Sequence, residues 1–224
     1  QSVVVAFSEF PPYKMMVDGT HKGIDIDILH EIGKQMDFTL NFKNGTFDKC
    51  LEMIKQGEAD LISSLHRRGE REAFILYVQP RYRTKSNTVF YLLKKNQNSI
   101  RTYDDLSTLK IGVKVGAKYA LRFDNDNELN KVPAQSIKLN ISKLTADQID
   151  TFITAETEGD YWIQTLGLQD RITKSSLNFQ QLDPIYFGIS KQSAFTKEAK
   201  RFGRILKGLV DKGTVQRIVE KYLK

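Results

Sequence analysis

The sequence lacks most of the groups from which proteins build disulfide frameworks and metal centres. It has one cysteine and three histidines among 224 residues, so no internal disulfide can form and no zinc site with several thiolates is available. It contains no His-Glu-x-x-His, Walker or dinucleotide-binding glycine motif and no nucleophile elbow. These absences predict a protein that has no metal, no cofactor and no catalytic residue.

Long apolar segments are also missing. No apolar run approaches the roughly 18 residues that are needed to span a bilayer, and no basic segment followed by an apolar one opens the chain. Any secretion signal is therefore expected to have been removed.

Positive charge is in excess and is unevenly distributed. The chain has 34 Lys and Arg against 27 Asp and Glu, a net charge of +7, but residues 95–186 carry 11 basic and 12 acidic side chains. Such an excess can favour binding to nucleic acid, to a membrane surface or to an anionic ligand, or it can contribute only to solubility. Because no arginine-rich helix, RNA-recognition signature or zinc-finger spacing is present, a nucleic-acid partner is not supported.

The first part of the chain alternates between strand and helix patterns. The β-branched run at 3–7 predicts a buried strand, and apolar residues at helical spacing over 24–32 predict a helix with Asp25 as its N-cap. A second helix over 47–54 is expected to end at Gly57. With strands at 38–42 and 59–65 the order is β-α-β-α-β, which implies a parallel sheet with helices on its faces.

A second strand and helix series begins with the strand at 110–116. A helix is expected from about residue 117, a strand at 148–154, and helical segments after residue 196. The long strands at 87–93 and 185–191 flank this series and are the expected crossings between two lobes. The predicted division assigns residues 1–91 and 188–224 to lobe 1, and residues 92–187 to lobe 2.

The stretch SSLHRRGER at 63–71 follows a predicted buried strand and is rich in hydrogen-bond donors. Backbone N–H groups, hydroxyls and an arginine fork are what a carboxylate ligand needs. The alternative interpretation is a solvated basic loop, and spacing alone does not separate the two.

Aromatic residues also flank strand ends or helix starts, where they could line a ligand cleft or belong to the core: Phe10, Tyr13, Phe47, Tyr82 and Tyr119. Cys50 lies on the apolar face of its helix and is expected to be a small buried hydrophobe.

Five segments occur in the same order as in one known family. They are FPPYKMMVDGTHKGIDIDILHEIGKQM, TFDKCLEMIKQGEADLISSL, KIGVKVGAKYA, QIDTFITAE and LKGLVDKGTVQRIVEKYL. Together they resemble the bacterial periplasmic solute-binding proteins for polar amino acids, which are family 3 receptors of ABC importers. The resemblance extends nearly from end to end. It implies an α/β fold of the type II two-lobe class, with a mixed sheet flanked by helices in each lobe, two hinge strands, and a ligand between lobes that close around it.

The resemblance also assigns roles to individual positions. Arg71 matches the arginine that clamps the ligand α-carboxylate, and Ser64 matches a donor to the same group. Phe10 and Phe47 match the two aromatic walls, and Gly116 matches a turn of the second lobe whose N–H groups face the carboxylate. The complete set of predicted ligand-binding residues is Arg71, Ser64, His66, Phe10, Phe47, Tyr13, Gly116, Ala117, Lys118 and Glu156.

Several positions depart from the family pattern where the ligand is expected. His66 stands where Ser or Thr is usual, and Ala117 with Lys118 replaces a common Ser/Thr pair. Ala155 stands where an aspartate usually holds the ligand ammonium, and Phe7 replaces an acidic residue of receptors for basic amino acids. We therefore expect lysine, arginine and ornithine to bind poorly.

The sequence thus predicts a monomeric, periplasmic receptor that binds a small carboxylate-bearing solute and delivers it to an inner-membrane ABC permease. Two alternatives remain open at this point. The same module occurs as the sensing domain of signalling kinases, and some relatives of the fold are cyclic-acid dehydratases, for which Glu156 or His66 could supply acid–base chemistry.

Overall fold

The structure is a computed structural model and describes residues 2–83, 86–181 and 184–223. Two compact units divide the described chain. The first unit holds residues 2–83 and 184–222, and the second holds residues 86–181. No helix of the described residues is long and apolar enough to cross a membrane.

Twelve strands and seven α-helices are described. In chain order they are β1 (Ser2–Phe7), β2 (Met15–Val17), β3 (Thr20–Lys22), α1 (Ile24–Met36), β4 (Thr39–Asn44), α2 (Phe47–Gln56), β5 (Leu61–His66), β6 (Ile75–Tyr77), β7 (Ser86–Leu93), β8 (Lys110–Lys114), α3 (Leu121–Asn125), β9 (Asn130–Ala134), α4 (Ile137–Thr145), β10 (Thr151–Ala155), α5 (Glu156–Thr165), β11 (Ile172–Gln181), β12 (Ile185–Ser190), α6 (Ala199–Asp211) and α7 (Thr214–Leu223). Short 3-10 turns occur at Gly69–Arg71, Lys94–Asn96, Asp104–Thr108 and Ala194–Glu198.

The sheet of the first unit has the strand order β4-β1-β5-β12-β6. Strand β1 pairs in parallel with both β4 and β5, which confirms the parallel arrangement predicted from the alternation of strands and helices. Strand β12 follows the second unit in the chain and pairs antiparallel with β5 and β6. The predicted α/β class with mixed sheets is therefore confirmed.

Strand β1 shows how this sheet is covered on both faces. Val3 and Val5 pack in one cluster with α1, α6 and the start of α7, whereas Val4 and Ala6 belong to a second cluster with α2. The alternation follows from the two-residue period of a strand, and burial of both faces explains the continuous β-branched run. Cys50 is fully buried in the second cluster, so its prediction as a small buried hydrophobe is confirmed.

The sheet of the second unit has the order β11-β7-β10-β8-β9. Strand β8 pairs in parallel with both β9 and β10. Strand β7 pairs antiparallel with both β10 and β11. The helix expected from about residue 117 begins four residues later, because α3 begins at Leu121; it has five residues. The sequence did not predict β6, β9, β11 or α4.

Strand β7 pairs only within the second sheet and β12 only within the first. The chain therefore passes from one compact unit to the other just before each of these strands. The sequence-based division placed the two boundaries inside the strands, at residues 91–92 and 187–188. That predicted division stays a prediction.

The helix ends show which local signals were sufficient. Gly57 ends α2 with a positive φ of 75°, as predicted, and the Thr46 hydroxyl accepts a hydrogen bond from the Lys49 N–H at the start of that helix. The prediction of Asp25 as the N-cap of α1 is wrong. Gly23 occupies that position without a side-chain cap, and Asp25 lies fully buried inside the first turn.

Two glycines of α6 provide a matched test of packing on this fold. A Cβ on Gly203 would lie 2.2 Å from the carbonyl oxygen of Gln79, whereas a Cβ on Gly208 meets no atom within 4 Å. We expect Gly203→Ala to lower the free energy of unfolding by about 1–3 kcal/mol. Gly208→Ala should raise it by about 0.5–1 kcal/mol, because alanine is the better helix former. Urea unfolding of both variants measures these changes in the free energy of unfolding. Equal effects of the two substitutions would contradict the packing of α6 against the backbone at Gln79.

Candidate functional site

A pocket of about 540 Å³ lies in the first unit, at the carboxyl ends of β1, β4 and β5 and the start of α2. This is the edge of an α/β sheet where ligands usually bind, because the loops that follow parallel strands diverge there. The pocket is lined by Ser8, Glu9, Phe10, Lys14, Gly45, Thr46, Phe47 and Ser64. Five of these residues were not predicted from the sequence to act there: Ser8, Glu9, Lys14, Gly45 and Thr46.

Aromatic side chains form two parts of the pocket wall. The Phe10 ring stacks on Tyr13 with centroids 5.2 Å apart, and Phe47 is the first residue of α2. Tyr13 itself is buried behind Phe10 and does not line the pocket. The structure therefore brings Phe10 and Phe47 to one pocket and places Tyr13 behind Phe10, and contacts of these residues with a ligand stay a prediction.

Arg71 lies next to this wall. It ends the 3-10 turn Gly69–Arg71, and its guanidinium carbon is 5.4 Å from the centroid of the Phe47 ring. Within the described part of the chain, its guanidinium forms no hydrogen bond and no ion pair. By contrast, the exposed Arg67 pairs with Glu72 at 2.6 Å. Arg71 thus has its hydrogen-bond donors available for an anion.

Ser64 takes part in a buried network instead of presenting a free hydroxyl. Its Oγ donates to Asp25 Oδ2 at 2.7 Å and accepts from Arg83 Nη2 at 2.8 Å. Its backbone N–H donates to the Tyr82 hydroxyl at 3.1 Å, and its φ is 59°. The role of Ser64 as a donor to a ligand carboxylate stays a prediction, and it would require this network to rearrange.

Arg83 is held between two tyrosine rings. Its guanidinium carbon lies 3.6 Å from the centroid of Tyr13 and 5.3 Å from that of Tyr82. Burial acts to lower the pKa of Arg83, but the two tyrosines and Asp25 outweigh it, so the pKa rises and the group remains a cation. Burial also raises the pKa of Tyr82, which therefore stays neutral.

Lys14 is the least expected residue of the pocket. It retains 2% of its surface exposed, and its backbone forms a bridge with Phe10. Its ammonium donates to Ser8 Oγ at 3.3 Å and forms no ion pair with a described carboxylate. Burial lowers the pKa of Lys14, and the nearby positive charge of Arg83 acts in the same direction, while Asp25 opposes the shift.

His66 is the last residue of β5 and is half-buried. Its carbonyl oxygen accepts a hydrogen bond from the Tyr77 hydroxyl at 3.3 Å, and the residue lies opposite Ile185 in the sheet. It does not belong to the lining of the pocket described above. A ligand contact of His66 stays a prediction.

Four predicted site residues lie in the second unit. Gly116, Ala117 and Lys118 lie in the loop after β8, and Gly116 adopts a φ of 75°, where an added Cβ would meet no atom within 4 Å. Glu156 begins α5 and accepts hydrogen bonds from Lys174 at 2.8 Å and Asn87 at 2.9 Å. Burial acts to raise the pKa of Glu156, but these two bonds lower it. Ligand contacts of these residues remain predictions.

The comparison with protein families identifies the class of the chain. Residues 3–224 match the family of bacterial extracellular solute-binding proteins, family 3. The chain belongs to this family. The resemblance found in the sequence is thereby confirmed, and the pocket is to be understood as part of a solute-binding protein.

Individual relatives are distant in sequence. The chain is 21% identical over 215 residues to the "Probable amino-acid-binding protein YxeM" of Bacillus subtilis, covering 94% of this chain and 79% of that protein. It is 24% identical over 224 residues to the "ABC transporter arginine-binding protein 1" of Escherichia coli, covering 95% and 86%. The solved structure of an ancestral cationic amino acid solute-binding protein matches with a TM-score of 0.81 and 18% identity, covering 100% and 96%, and confirms the two-lobe fold.

Sequence reasoning missed Lys14 for a physical reason. A lysine that follows two prolines and precedes a short hairpin has the local signature of a solvated loop. Its burial depends on contacts that are distant in sequence. Asp25 was found at its helix start but was given the wrong role, since its partner Ser64 lies 39 residues away.

The buried charge of Lys14 should lower the free energy of unfolding of the protein. We expect Lys14→Met to raise the free energy of unfolding near pH 7 by about 1–3 kcal/mol, because it removes a poorly hydrogen-bonded buried cation. Since the folded pKa is lowered, the native state loses its proton before the unfolded state does, and the parent protein gains stability as the pH rises toward the ordinary lysine pKa of about 10.4. The advantage of the variant should therefore shrink as the pH rises toward the ordinary lysine pKa.

Urea unfolding at several pH values measures this effect. The exposed Lys22, opposite Met15 in the hairpin, provides the control, and Lys22→Met should change stability by less than about 0.5 kcal/mol. A Lys14→Met variant less stable than the parent near neutral pH would contradict this description of the buried ammonium.

Proposed function

We propose that the protein is a non-catalytic receptor that binds a small carboxylate-bearing solute, an amino acid or a related anion, and delivers it to an inner-membrane ABC permease. Membership of the extracellular solute-binding family supports a receptor. The names of the two curated relatives, one amino-acid-binding and one arginine-binding, support an amino-acid-like ligand and an ABC transporter as partner. We further propose that it acts as a monomer in the periplasm.

The observation that carries this proposal is the position of the Arg71 guanidinium beside the pocket wall. An arginine fork presents two parallel N–H groups at the spacing of carboxylate oxygens, which a lysine cannot do. The Phe47 ring under the guanidinium restricts its orientation through a cation–π contact. An arginine without an anionic partner among the described residues is therefore prepared to bind one from solution.

The start of α2 supports an anion in the same pocket. Thr46 and Phe47 belong to the lining, and they mark the N-terminal end of a ten-residue helix. The first N–H groups of a helix and its macrodipole favour negative charge. Arg71 and the helix end thus favour a carboxylate at this wall of the pocket.

The site residues considered for acid–base chemistry do not support an enzyme. Glu156 is bonded to Lys174 and Asn87, and its lowered pKa is opposite to what a general acid needs near neutral pH. The residues that line the pocket of the first unit include no histidine. We therefore propose binding without turnover.

The test is the effect of Arg71 on binding. Arg71→Ala should weaken binding of the cognate amino acid or carboxylate by at least about 100-fold, or about 3 kcal/mol, because the ligand carboxylate loses its paired donors. Arg71→Lys should recover only part of the loss. Isothermal titration calorimetry, after a thermal-shift screen of amino acids and small carboxylates, measures both effects.

Arg67 and Arg68 provide matched controls in the same segment. Both are exposed, and Arg67 is paired with Glu72, so Arg67→Ala and Arg68→Ala should change affinity by less than about 1 kcal/mol. If Arg71→Ala binds as tightly as the two controls and the parent, the carboxylate is not bound at Arg71.

A further inference from the structure

Lys14 has an unused capacity to bind an anion. An ammonium can donate three hydrogen bonds, but among the described residues that of Lys14 donates one, to Ser8 Oγ at 3.3 Å. The side chain is buried and still lines the pocket of the first unit. Buried cations are normally paired or fully hydrogen-bonded, because desolvation without a partner is costly. Lys14 therefore has the properties of a group that is completed by a ligand.

The buried carboxylate of Asp25 is hydrogen-bonded through one of its oxygens to Ser64. Asp25 retains none of its surface exposed, and its Oδ2 accepts from the Ser64 hydroxyl, which in turn accepts from Arg83. Asp25 forms no ion pair with Lys14 among the contacts of the described chain. Ser64 thus occupies Oδ2 of Asp25, while the buried Oδ1 has no hydrogen-bond partner among the described residues. The ammonium of Lys14 therefore has no carboxylate within ion-pair distance in the described chain.

The charges around the pocket leave a positive excess. The cations are Lys14, Arg71 beside Phe47, and Arg83 bonded to Ser64, and the anions are Asp25 and the exposed Glu9. Three positive and two negative groups give +1. A zwitterionic amino acid with a neutral side chain has no net charge and leaves this excess in place. A ligand with two carboxylates and one ammonium has a net charge of −1 and neutralises it.

We propose that Lys14 binds a second anionic group of the ligand, so that the solute is an acidic amino acid or a similar small dicarboxylate. This inference rests on the proposed function, in which Arg71 binds the first carboxylate. The Ser8 hydroxyl accepts from Lys14 and lies beside the same part of the pocket. The volume of about 540 Å³ is sufficient for such a solute.

The same geometry opposes a cationic side chain. A guanidinium in this pocket would meet the ammonium of Lys14 at low dielectric, where repulsion between like charges is strong. Phe7, which replaces an acidic residue in the resemblance, is buried against the His21 and Phe42 rings and supplies no carboxylate. The specificity of this chain should therefore differ from that stated in the name of its arginine-binding relative.

Three probes of similar size separate the possibilities: L-glutamate, its uncharged isostere L-glutamine, and L-arginine. Calorimetry on the parent protein should show glutamate, or its shorter homologue aspartate, bound at least about 100-fold more tightly than glutamine. Arginine should show the weakest binding of the three. Succinate tests whether two carboxylates are sufficient without the ammonium.

Lys14→Met should reduce glutamate affinity by about 100-fold and leave glutamine affinity nearly unchanged, which removes the discrimination between them. Lys14→Gln is the second variant, and a cooperative thermal unfolding transition of each variant is the check that it is folded. Lys22→Met, an exposed substitution in the neighbouring hairpin, should keep the discrimination of the parent.

The outcomes separate this inference from the proposed function. If the parent binds glutamine or arginine as tightly as glutamate, Lys14 does not bind a second anionic group of the ligand. The same conclusion holds if both Lys14 variants keep the preference for glutamate over glutamine. In that case a loss of binding in Arg71→Ala would still support the carboxylate receptor. If none of the amino acids and dicarboxylates binds to the parent, both the inference and the proposed function are overturned.

Discussion

The hydroxyl of Ser64 joins the buried carboxylate of Asp25 to the half-buried guanidinium of Arg83, and no ion pair between the two charges is described. The hydroxyl donates to Asp25 in the first turn of α1 and accepts from Arg83, at the end of the first segment of the unit. Because the hydroxyl bridges them, α1, β5 and the Arg83 segment are fixed relative to one another at one edge of the sheet. The pocket lies at this edge, and Ser64 belongs both to its lining and to the bridge.

The bridge also decides which charge remains available. Arg83 is surrounded by Tyr13, Tyr82 and the Ser64 hydroxyl, so its charge is stabilised within the protein. Lys14, buried nearby, has only the Ser8 hydroxyl among the described residues. A buried cation in this state lowers the stability of the folded protein, yet it strengthens attraction for an anion because little water competes. Stability and ligand recognition therefore oppose each other at one side chain.

Local sequence signals were sufficient wherever the determining contacts are local. The end of α2 at Gly57, the parallel pairing around β1 and the burial of Cys50 follow from turn chemistry, from the order of the elements and from helical spacing. The family resemblance predicted Phe10 and Phe47 as walls of the ligand site, and both residues line the pocket of the first unit. Each of these features depends on a few neighbouring residues or on element order alone.

Distant contacts account for what could not be predicted. Asp25 has the composition of a helix cap, and only the approach of Ser64 from β5 makes it a buried partner. Lys14 has the local sequence of a solvated loop residue, and its burial beside Thr46 and Ser64 depends on the folded unit. Strands β9 and β11 carry no regular apolar alternation, and β9 contains Pro133, so their place in the second sheet depends on pairing with β8 and β7.

The central claim is that the buried ammonium of Lys14 is completed by an anionic group of the ligand. The most direct measurement is an NMR titration of the Lys14 side-chain signals against pH, with and without saturating L-glutamate. In the free protein the pKa of Lys14 should lie below the usual lysine value, and bound glutamate should raise it while glutamine should not. A Lys14 pKa that is the same in the free and glutamate-saturated protein would contradict the claim.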